Sequence, residues 1–459
     1  MHVKPVWTLD QVIAQLTNWQ ARWNNDIAIP YLFYAQSLPH HDFKIGFSPF
    51  NQAEIQSLQN SMQLISDVAN VSFVNIANSL QPPNISNQFI GFYTVNTSTA
   101  AFWGAATDYV MQNEDVPYGG IYGVDVIVNH NRSNVQGGWG LGDSNSRKLM
   151  HELLHAIGLD HPGPYNGDTA NYESQALFFQ DSHQYTVMSY WDAVNSGADH
   201  VAAGKLQWTS TPLLYDVAAL QSLYGANMTT RTGHTVYGFN DNSGRSAYDL
   251  ARDPSSIFTI WDAGGIDTLD LSGYSTPSRI DLGQGAFSDS GEMTSNISIA
   301  FGAIIENAIG GAGGDSLTGN DARNRLEGNG GADVLKGGAE SDWLVGGAGG
   351  DMFVYTSYSD SDLPLIRSDG KKVASDYLAD FTSGVDRIDL SALDAIPSTA
   401  ANDAFTFIGN AAFTSVAGQL RWEVRHEQLW LEGDIDGNGV CDFAIAMKAA
   451  ALVAADVIL

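Results

Sequence analysis

Apolar residues recur along this chain with helical and strand periods, and later with a much longer one. In TLDQVIAQLTNWQARW, Val12, Leu16, Trp19 and Trp23 fall at helical intervals behind Thr8 and Gln11, which stand at capping-box spacing. NQAEIQSLQNSMQLISDVA repeats the device, with Asn51 and Glu54 as the box and Ile55, Leu58, Met62 and Ile65 as the stripe. IAIPYLFYA, VSFVNI, FIGFYT and GVDVIVNHN are rich in β-branched and aromatic residues and predict strands. A further helix is predicted over TPLLYDVAALQSLYG, with Pro212 near its start and Gly225 at its end. This first part reads as mixed α and β and closes near Asn227.

Beyond Asn227 glycine becomes dense and long helical periodicity stops. From Gly310 the chain divides into GGAGGDSLT, GNDARNRLE, GNGGADVLK, GGAESDWLV and GGAGGDMFV, five nonapeptides in unbroken register. Asp315, Asn324, Asp333, Asp342 and Asp351 hold the sixth place; Leu317, Leu326, Leu335, Leu344 and Phe353 hold the eighth. Glycines allow tight turns with carbonyls facing an ion, the acid adds charge, and the eighth residue points inward to stack a core. This is the register of the calcium-binding RTX repeat, and calcium takes about six to eight oxygens. Gly311, Gly313, Asp315, Gly331, Asp333, Gly338, Asp342, Gly347, Gly349 and Asp351 are the expected ligands. Turns two apart stack on one side, so Asp315, Asp333 and Asp351 form one row and Asn324 and Asp342 the other. The second row is expected to bind more weakly, because Asn324 lacks charge and Ala322 and Glu340 replace glycines.

Composition narrows the function classes. At 459 residues, two or three domains are the prior. Asp and Glu number 51 against 21 Lys and Arg, a formal charge of −30. That balance opposes binding to nucleic acid or anionic membranes, which needs clustered cations. In the repeats the acids are set for cations instead. The single cysteine, Cys441, excludes an internal disulfide. No apolar run reaches the roughly 18 residues of a membrane span, and MHVKPVWTLDQ lacks the apolar segment of a secretory signal peptide. The expectation is a protein that either stays in the cell or leaves by a route that needs no such peptide.

The densest chemistry lies in HELLHAIGLDHPG, which holds three of the 11 histidines. His151 and His155, four apart, project from one helical face, while Leu149, Met150, Leu153, Leu154 and Ile157 stripe the other. Gly158 stands where a helix ends in a left-handed residue, and Pro162 bars its continuation. The chain can therefore turn His161 back toward the first two. Three neutral imidazoles on one point make a zinc site with an open fourth position, the catalytic type. Glu152 points beside such a metal rather than at it, placed to take a proton from water whose pKa zinc lowers to about 7. A core helix with merely hydrogen-bonded histidines is the competing reading.

HExxHxxGxxH is the signature of the metzincin zinc endopeptidases, which the chain resembles. YTVMSYW supplies that family's methionine turn with Met188, and Tyr190 matches its tyrosine that approaches zinc and can donate to an oxyanion. HPG after the third histidine and MSYW are similar to the serralysin branch. The resemblance implies an α+β metzincin catalytic domain over residues 1–227 and an all-β parallel β-roll and β-sandwich domain over residues 228–459. It implies one Zn2+ on His151, His155, His161 and Tyr190, several structural Ca2+, and catalysis by Glu152 and Tyr190. The strand before the zinc helix is an edge strand in metzincins, which makes Val124, Val126 and Val128 the expected substrate-pairing backbone; ordinary sheet core is the other reading.

Two flanking segments resemble serralysin calcium sites: Arg231, Gly233 and Thr235 in TRTGHTVYGF, and Asp262, Gly264 and Asp267 in WDAGGID, with Glu306 as a further match. His234 and Ile304 stand where an acid and a threonine are expected. DIDGNGVCDF, at Asp434, reads as a polar turn. The terminal DVIL resembles the uncleaved signal of bacterial type I export. The expected protein is a secreted monomer acting on protein and peptide substrates, with the type I secretion machinery and a proteinaceous inhibitor as partners. The alternatives are a calcium-dependent adhesion protein with an inactive protease domain, and a β-roll whose zinc is a structural staple.

Overall fold

The computed structural model describes residues 4–459 except 19–20, 24–27, 37–45, 77–88, 98–103, 112–118, 132–137, 167–170 and 362–374. The chain divides into two compact units. The first comprises Met1–Thr232, Ser255–Ala263 and Met293–Phe301; the second comprises Gly233–Pro254, Gly264–Glu292 and Gly302–Leu459.

In the first unit, helix α1 (Leu9–Leu16) opens on the expected box: Gln11 N–H donates to Thr8 Oγ1 at 3.4 Å and Thr8 N–H to Gln11 Oε1 at 2.9 Å. The helix does not continue to Trp23. The chain leaves it at Thr17 and enters the short strand β1 (Ala21–Arg22). Trp23 is buried by tertiary contacts instead, its indole N–H donating to the Ala156 carbonyl at 2.8 Å and its backbone N–H to the Tyr224 hydroxyl at 3.2 Å. Burial against two later helices thus imitated a helical spacing; Trp19 lies outside the described residues. Helix α2 (Gln52–Val68) carries the Asn51–Glu54 box and buries Leu58, Met62 and Ile65.

Strands β2 (Ile29–Phe33), β3 (Phe73–Asn75), β4 (Ile90–Val95), β5 (Gly104–Met111) and β6 (Gly119–Asn129) join β1 in one sheet of order β1-β6-β4-β2-β3, with β5 also on β6. All pairs are parallel except β5–β6. Nothing in the pattern of GAATDYVM predicts β5, since small and polar residues dilute any apolar alternation. Its position corrects one expectation. Val124 and Val128 pair with Ile90 and Thr94 of β4 and also with Asp108 and Gly104 of β5. The β6 backbone between them, with Val126, is therefore committed on both sides and cannot pair with a substrate. The sheet-core reading holds, and among the described residues β5 pairs with β6 alone. Helices α3 (Ser144–Ala156), α4 (Tyr172–Gln175) and α5 (Leu214–Tyr224) follow.

The second unit is all β. Three-residue strands Ser316–Thr318, Arg325–Glu327, Val334–Lys336, Trp343–Val345 and Met352–Val354 fill the last three places of the five nonapeptides. Alternate turns pair in parallel. Ser316–Thr318, Val334–Lys336, Met352–Val354, Arg387–Asp389 and Val457–Ile458 follow one another in one ladder. Asn307–Ile309, Arg325–Glu327, Trp343–Val345, Tyr377–Leu378 and Phe443–Met447 form the other, which ends in antiparallel strands Gln428–Asp434 and Gln419–Arg425. The eighth residues, Leu317 to Phe353, all point inward and are at most 1% exposed. The fold is an α+β unit followed by an all-β parallel β-roll. No helix among the described residues is long and apolar enough to cross a membrane.

The inner stack makes a stability prediction. Leu335→Ala should cost about 2–5 kcal/mol in denaturant unfolding of the full chain. Val334→Ala, at a neighbouring position 38% exposed, should stay within about 0.5 kcal/mol of wild type. Equal effects at the two positions would contradict the inward direction of the eighth residue.

Candidate metal centre

Helix α3 buries Leu149, Leu153 and Leu154 and brings His151 and His155 to one side. Gly158 then takes φ +104°, and a Cβ there would lie 2.3 Å from the Ala21 carbonyl oxygen, so the turn admits glycine alone. The returning chain brings His161 Nε2 to 3.1 Å from His151 Nε2 and 3.0 Å from His155 Nε2. His151 Nδ1 faces the Val187 carbonyl at 2.9 Å, and His155 Nδ1 the Leu159 carbonyl at 2.7 Å. A carbonyl only accepts, so both Nδ1 atoms carry the proton and both Nε2 atoms present lone pairs. Burial holds His151 well below the usual imidazole range and pushes His155 down to about 4 and His161 to about 3. Neutral rings with converging lone pairs repel unless a cation joins them. Tetrahedral ligation at about 2.0–2.1 Å sets nitrogens roughly 3.3 Å apart, so this donor set fits zinc.

Glu152 lines the same cleft, about 740 Å³ in volume, together with Gly104, Ala105, Ala106, Tyr165 and Tyr190. Burial pushes its carboxyl up to about 8, while the Arg147 guanidinium and the Ala106 backbone N–H work in the opposite sense. A cation on the imidazoles would act as Arg147 does. Strand β5 crosses close to this group: a Cβ on Gly104 would meet Glu152 Cγ and Oε1 at 2.7 Å. The half-buried Tyr190 ring stands 4.8 Å from the His161 ring and 6.0 Å from the His151 ring. Met188 is fully buried. Its turn is tied to the start of α5 by the Asp216 carboxylate, which accepts from Thr186 Oγ1 at 2.5 Å, Val187 N–H at 2.8 Å and Leu213 N–H at 2.9 Å. Sequence reasoning missed Gly104, Ala106 and Asp216. Only Asp216 carried a signal, as an acid in the first turn of a predicted helix.

In the roll, each sixth-place acid accepts from the backbone of the turn stacked on it. Asp315 N–H donates to Asp333 Oδ1 at 2.7 Å, Asp333 N–H to Asp351 Oδ1 at 3.0 Å, and Asn324 N–H to Asp342 Oδ1 at 2.8 Å. Two acids outside the nonapeptides continue the rows: Asp351 N–H donates to Asp386 and Asp342 N–H to Asp376, both at 2.9 Å. Asp315 is satisfied by Ser278 N–H and Gly311 N–H. The second oxygens of Asp333, Asp342 and Asp351 are buried with no hydrogen-bond donor among the described residues. Burial first, then the charges of Asp351 and Asp315, pushes Asp333 up to about 6. Orphaned, buried carboxylate oxygens beside turns built from Gly313, Gly331, Gly338, Gly347 and Gly349 fit a hard cation. Glu340 adopts a left-handed φ of 71°, a conformation that is costly for a residue with a Cβ.

Of the flanking residues, Arg231 and Asp262 belong to the first unit, where Arg231 pairs with Asp67 at 2.9 Å and donates to the Trp261 carbonyl at 2.7 Å. Gly233, Thr235, Gly264, Asp267 and Glu306 belong to the second. There Thr235 N–H donates to Asp267 Oδ1, and Asp267 N–H to Glu306 Oε2, each at 2.7 Å. Asp434 and Asp442 accept from backbone N–H groups of their own segment, as a polar turn does.

Residues 226–459 match the family model described as Peptidase M10 serralysin C terminal. Metalloprotease AprA of Pseudomonas entomophila (strain L48) is 40% identical over 462 residues, covering 98% of this chain and 90% of that protein. Serralysin G of Dickeya chrysanthemi is 39% identical over 488 residues, covering 99% and 91%. The chain belongs to the serralysin family of metalloendopeptidases. Among solved structures, the R3 subunit of AlgE6, a mannuronan C5-epimerase of Azotobacter vinelandii, is 28% identical over 33% of this chain and 77% of that one, with a TM-score of 0.26.

For a serralysin-family cleft, the approach of β5 to Glu152 has a measurable consequence. Gly104→Val should displace the carboxylate and lower peptide turnover by about tenfold or more, with metal content unchanged. Wild-type turnover in that variant would show that the close approach is irrelevant to the reaction.

Proposed function

We propose that this chain is a secreted, zinc-dependent endopeptidase whose β-roll is held together by calcium. The observation that carries the reading is the convergence of three buried, neutral imidazoles on one point, with a carboxylate beside it and an open cleft in front. His151, His155 and His161 would hold zinc. When bound, zinc supplies a Lewis acid to a water and to the peptide carbonyl oxygen. Glu152 takes a proton from the attacking water as the new C–O bond forms, and returns it to the amine as the C–N bond breaks. The empty side of Gly104 and the Ala106 N–H keep its carboxylate aimed into the cleft. The Tyr190 hydroxyl donates to the oxygen on which negative charge develops. Strand β5 pairs only with β6 among the described residues, and its other edge is where an extended protein substrate would add as a strand.

Calcium is assigned to the roll on the orphaned oxygens of Asp333, Asp342 and Asp351, with carbonyls of the neighbouring turns completing each shell. Asp315 and the turn glycines Gly311 and Gly313 belong to the same row. In the second unit, Gly233, Thr235, Gly264, Asp267 and Glu306 are proposed as further calcium ligands from family resemblance, supported by the Asp267 hydrogen bonds; Arg231 and Asp262 of the first unit are proposed on the resemblance alone. Without calcium the stacked acids repel, so the roll would fold only where calcium is abundant, after type I export.

Two experiments test this reading. Glu152→Ala should keep about one zinc per chain by metal analysis and lose about 10²–10⁴-fold in kcat on a casein peptide; hydrolysis at the wild-type rate would refute the assigned mechanism. Asp333→Asn keeps an oxygen for the Asp315 N–H but removes a charge. It should raise the calcium concentration at which circular dichroism reports roll folding, and an unchanged midpoint would remove Asp333 from the calcium shell.

A further inference from the structure

Three hydrogen bonds meet on a carboxylate that the reaction does not touch. Asp181 is fully buried. Its Oδ1 accepts from the Tyr165 hydroxyl at 2.8 Å and the Ser189 hydroxyl at 2.7 Å, and its Oδ2 from the Trp191 indole N–H at 3.3 Å. Ser189 Oγ in turn accepts the Trp191 backbone N–H at 3.1 Å. Both chain neighbours of Tyr190 therefore hang on one side chain. The third contact reaches the loop after His161: the Tyr165 ring is stacked on His161 at 5.4 Å and lies 4.9 Å from the Tyr190 ring. A buried charge is poor support for stability, because apolar packing can do as well. All three donors instead lie in the two loops that carry Tyr190 and the third imidazole.

We infer that Asp181 is a positioning residue for the reaction: through Ser189 and Trp191 it fixes the Tyr190 loop, and through Tyr165 it registers that loop against His161. This rests on the oxyanion role given above to Tyr190. That hydroxyl contributes only as charge develops on the carbonyl oxygen, so displacing it slows turnover and leaves substrate affinity unchanged. Zinc stays bound, because two of its three imidazoles are oriented by the Val187 and Leu159 carbonyls rather than by Asp181.

The test measures kcat and KM on a fluorogenic peptide for the full chain loaded with zinc and calcium, with zinc content determined for each variant. Asp181→Asn leaves one oxygen for three donors. It should lower kcat about tenfold, hold KM within about twofold and retain one zinc. Ser189→Ala removes a single hydroxyl from the same network and should give the same kcat-only loss in smaller measure, which keeps the test open should Asp181→Asn fail to fold. Trp191→Phe combined with Asp181→Asn removes the donor the amide cannot satisfy and should recover part of the rate. The decisive comparison is in a Tyr190→Phe background, where Asp181→Asn should add no further loss of kcat. A loss that multiplies that of Tyr190→Phe, a matching rise in KM, or departure of zinc would overturn the positioning role. Wild-type turnover of Tyr190→Phe itself would overturn the role of Tyr190, and this one with it.

Discussion

Buried, neutral imidazoles can point their lone pairs at one spot only if a cation shares it. His151, His155 and His161 are held in that arrangement by three local features. Helix α3 sets the first two on one face, two backbone carbonyls take their Nδ1 protons, and Gly158 closes a turn against the Ala21 carbonyl that a Cβ would block. The rest of the first unit serves the same point. Asp216 ties the methionine turn to α5 beneath it, and β5 brings a backbone edge to within contact of Glu152.

The second unit meets a related constraint with harder donors. Each stacked acid spends one oxygen on the backbone of the preceding rung, which fixes the spacing of the rows, and Asp333, Asp342 and Asp351 leave the other oxygen buried and unmatched. Such carboxylates must take up protons or a divalent cation. Each unit thus gathers donor atoms that its own side chains leave unmatched.

What the sequence disclosed follows from how local each determinant is. The histidine cluster was legible because a four-residue helical step, one glycine and one proline lie within 13 residues. The roll was legible because its register repeats every nine. Strand β5 was not, since small and polar residues gave it no period, and its edge was assigned instead to Val124–Val128 of β6, whose apolar run reflects burial between two neighbours. The helix drawn through Trp23 failed because a tertiary contact produced an aromatic at helical spacing. Asp376 escaped notice because it follows Asp342 by 34 residues, where the repeat had set a step of 18 between Asn324 and Asp342. Asp181 escaped because nothing local distinguishes an acid in a polar loop from one on which three donors converge.

The central claim is that three imidazoles, with no fourth nitrogen closing the shell, hold one zinc ion. X-ray absorption at the zinc edge on the purified full chain tests it most directly. The expected result is one zinc per chain with three imidazole nitrogens at about 2.0–2.1 Å and the remaining shell made up by light oxygen donors. A shell closed by four protein nitrogens, or a chain that binds no zinc when all three histidines are intact, would contradict it.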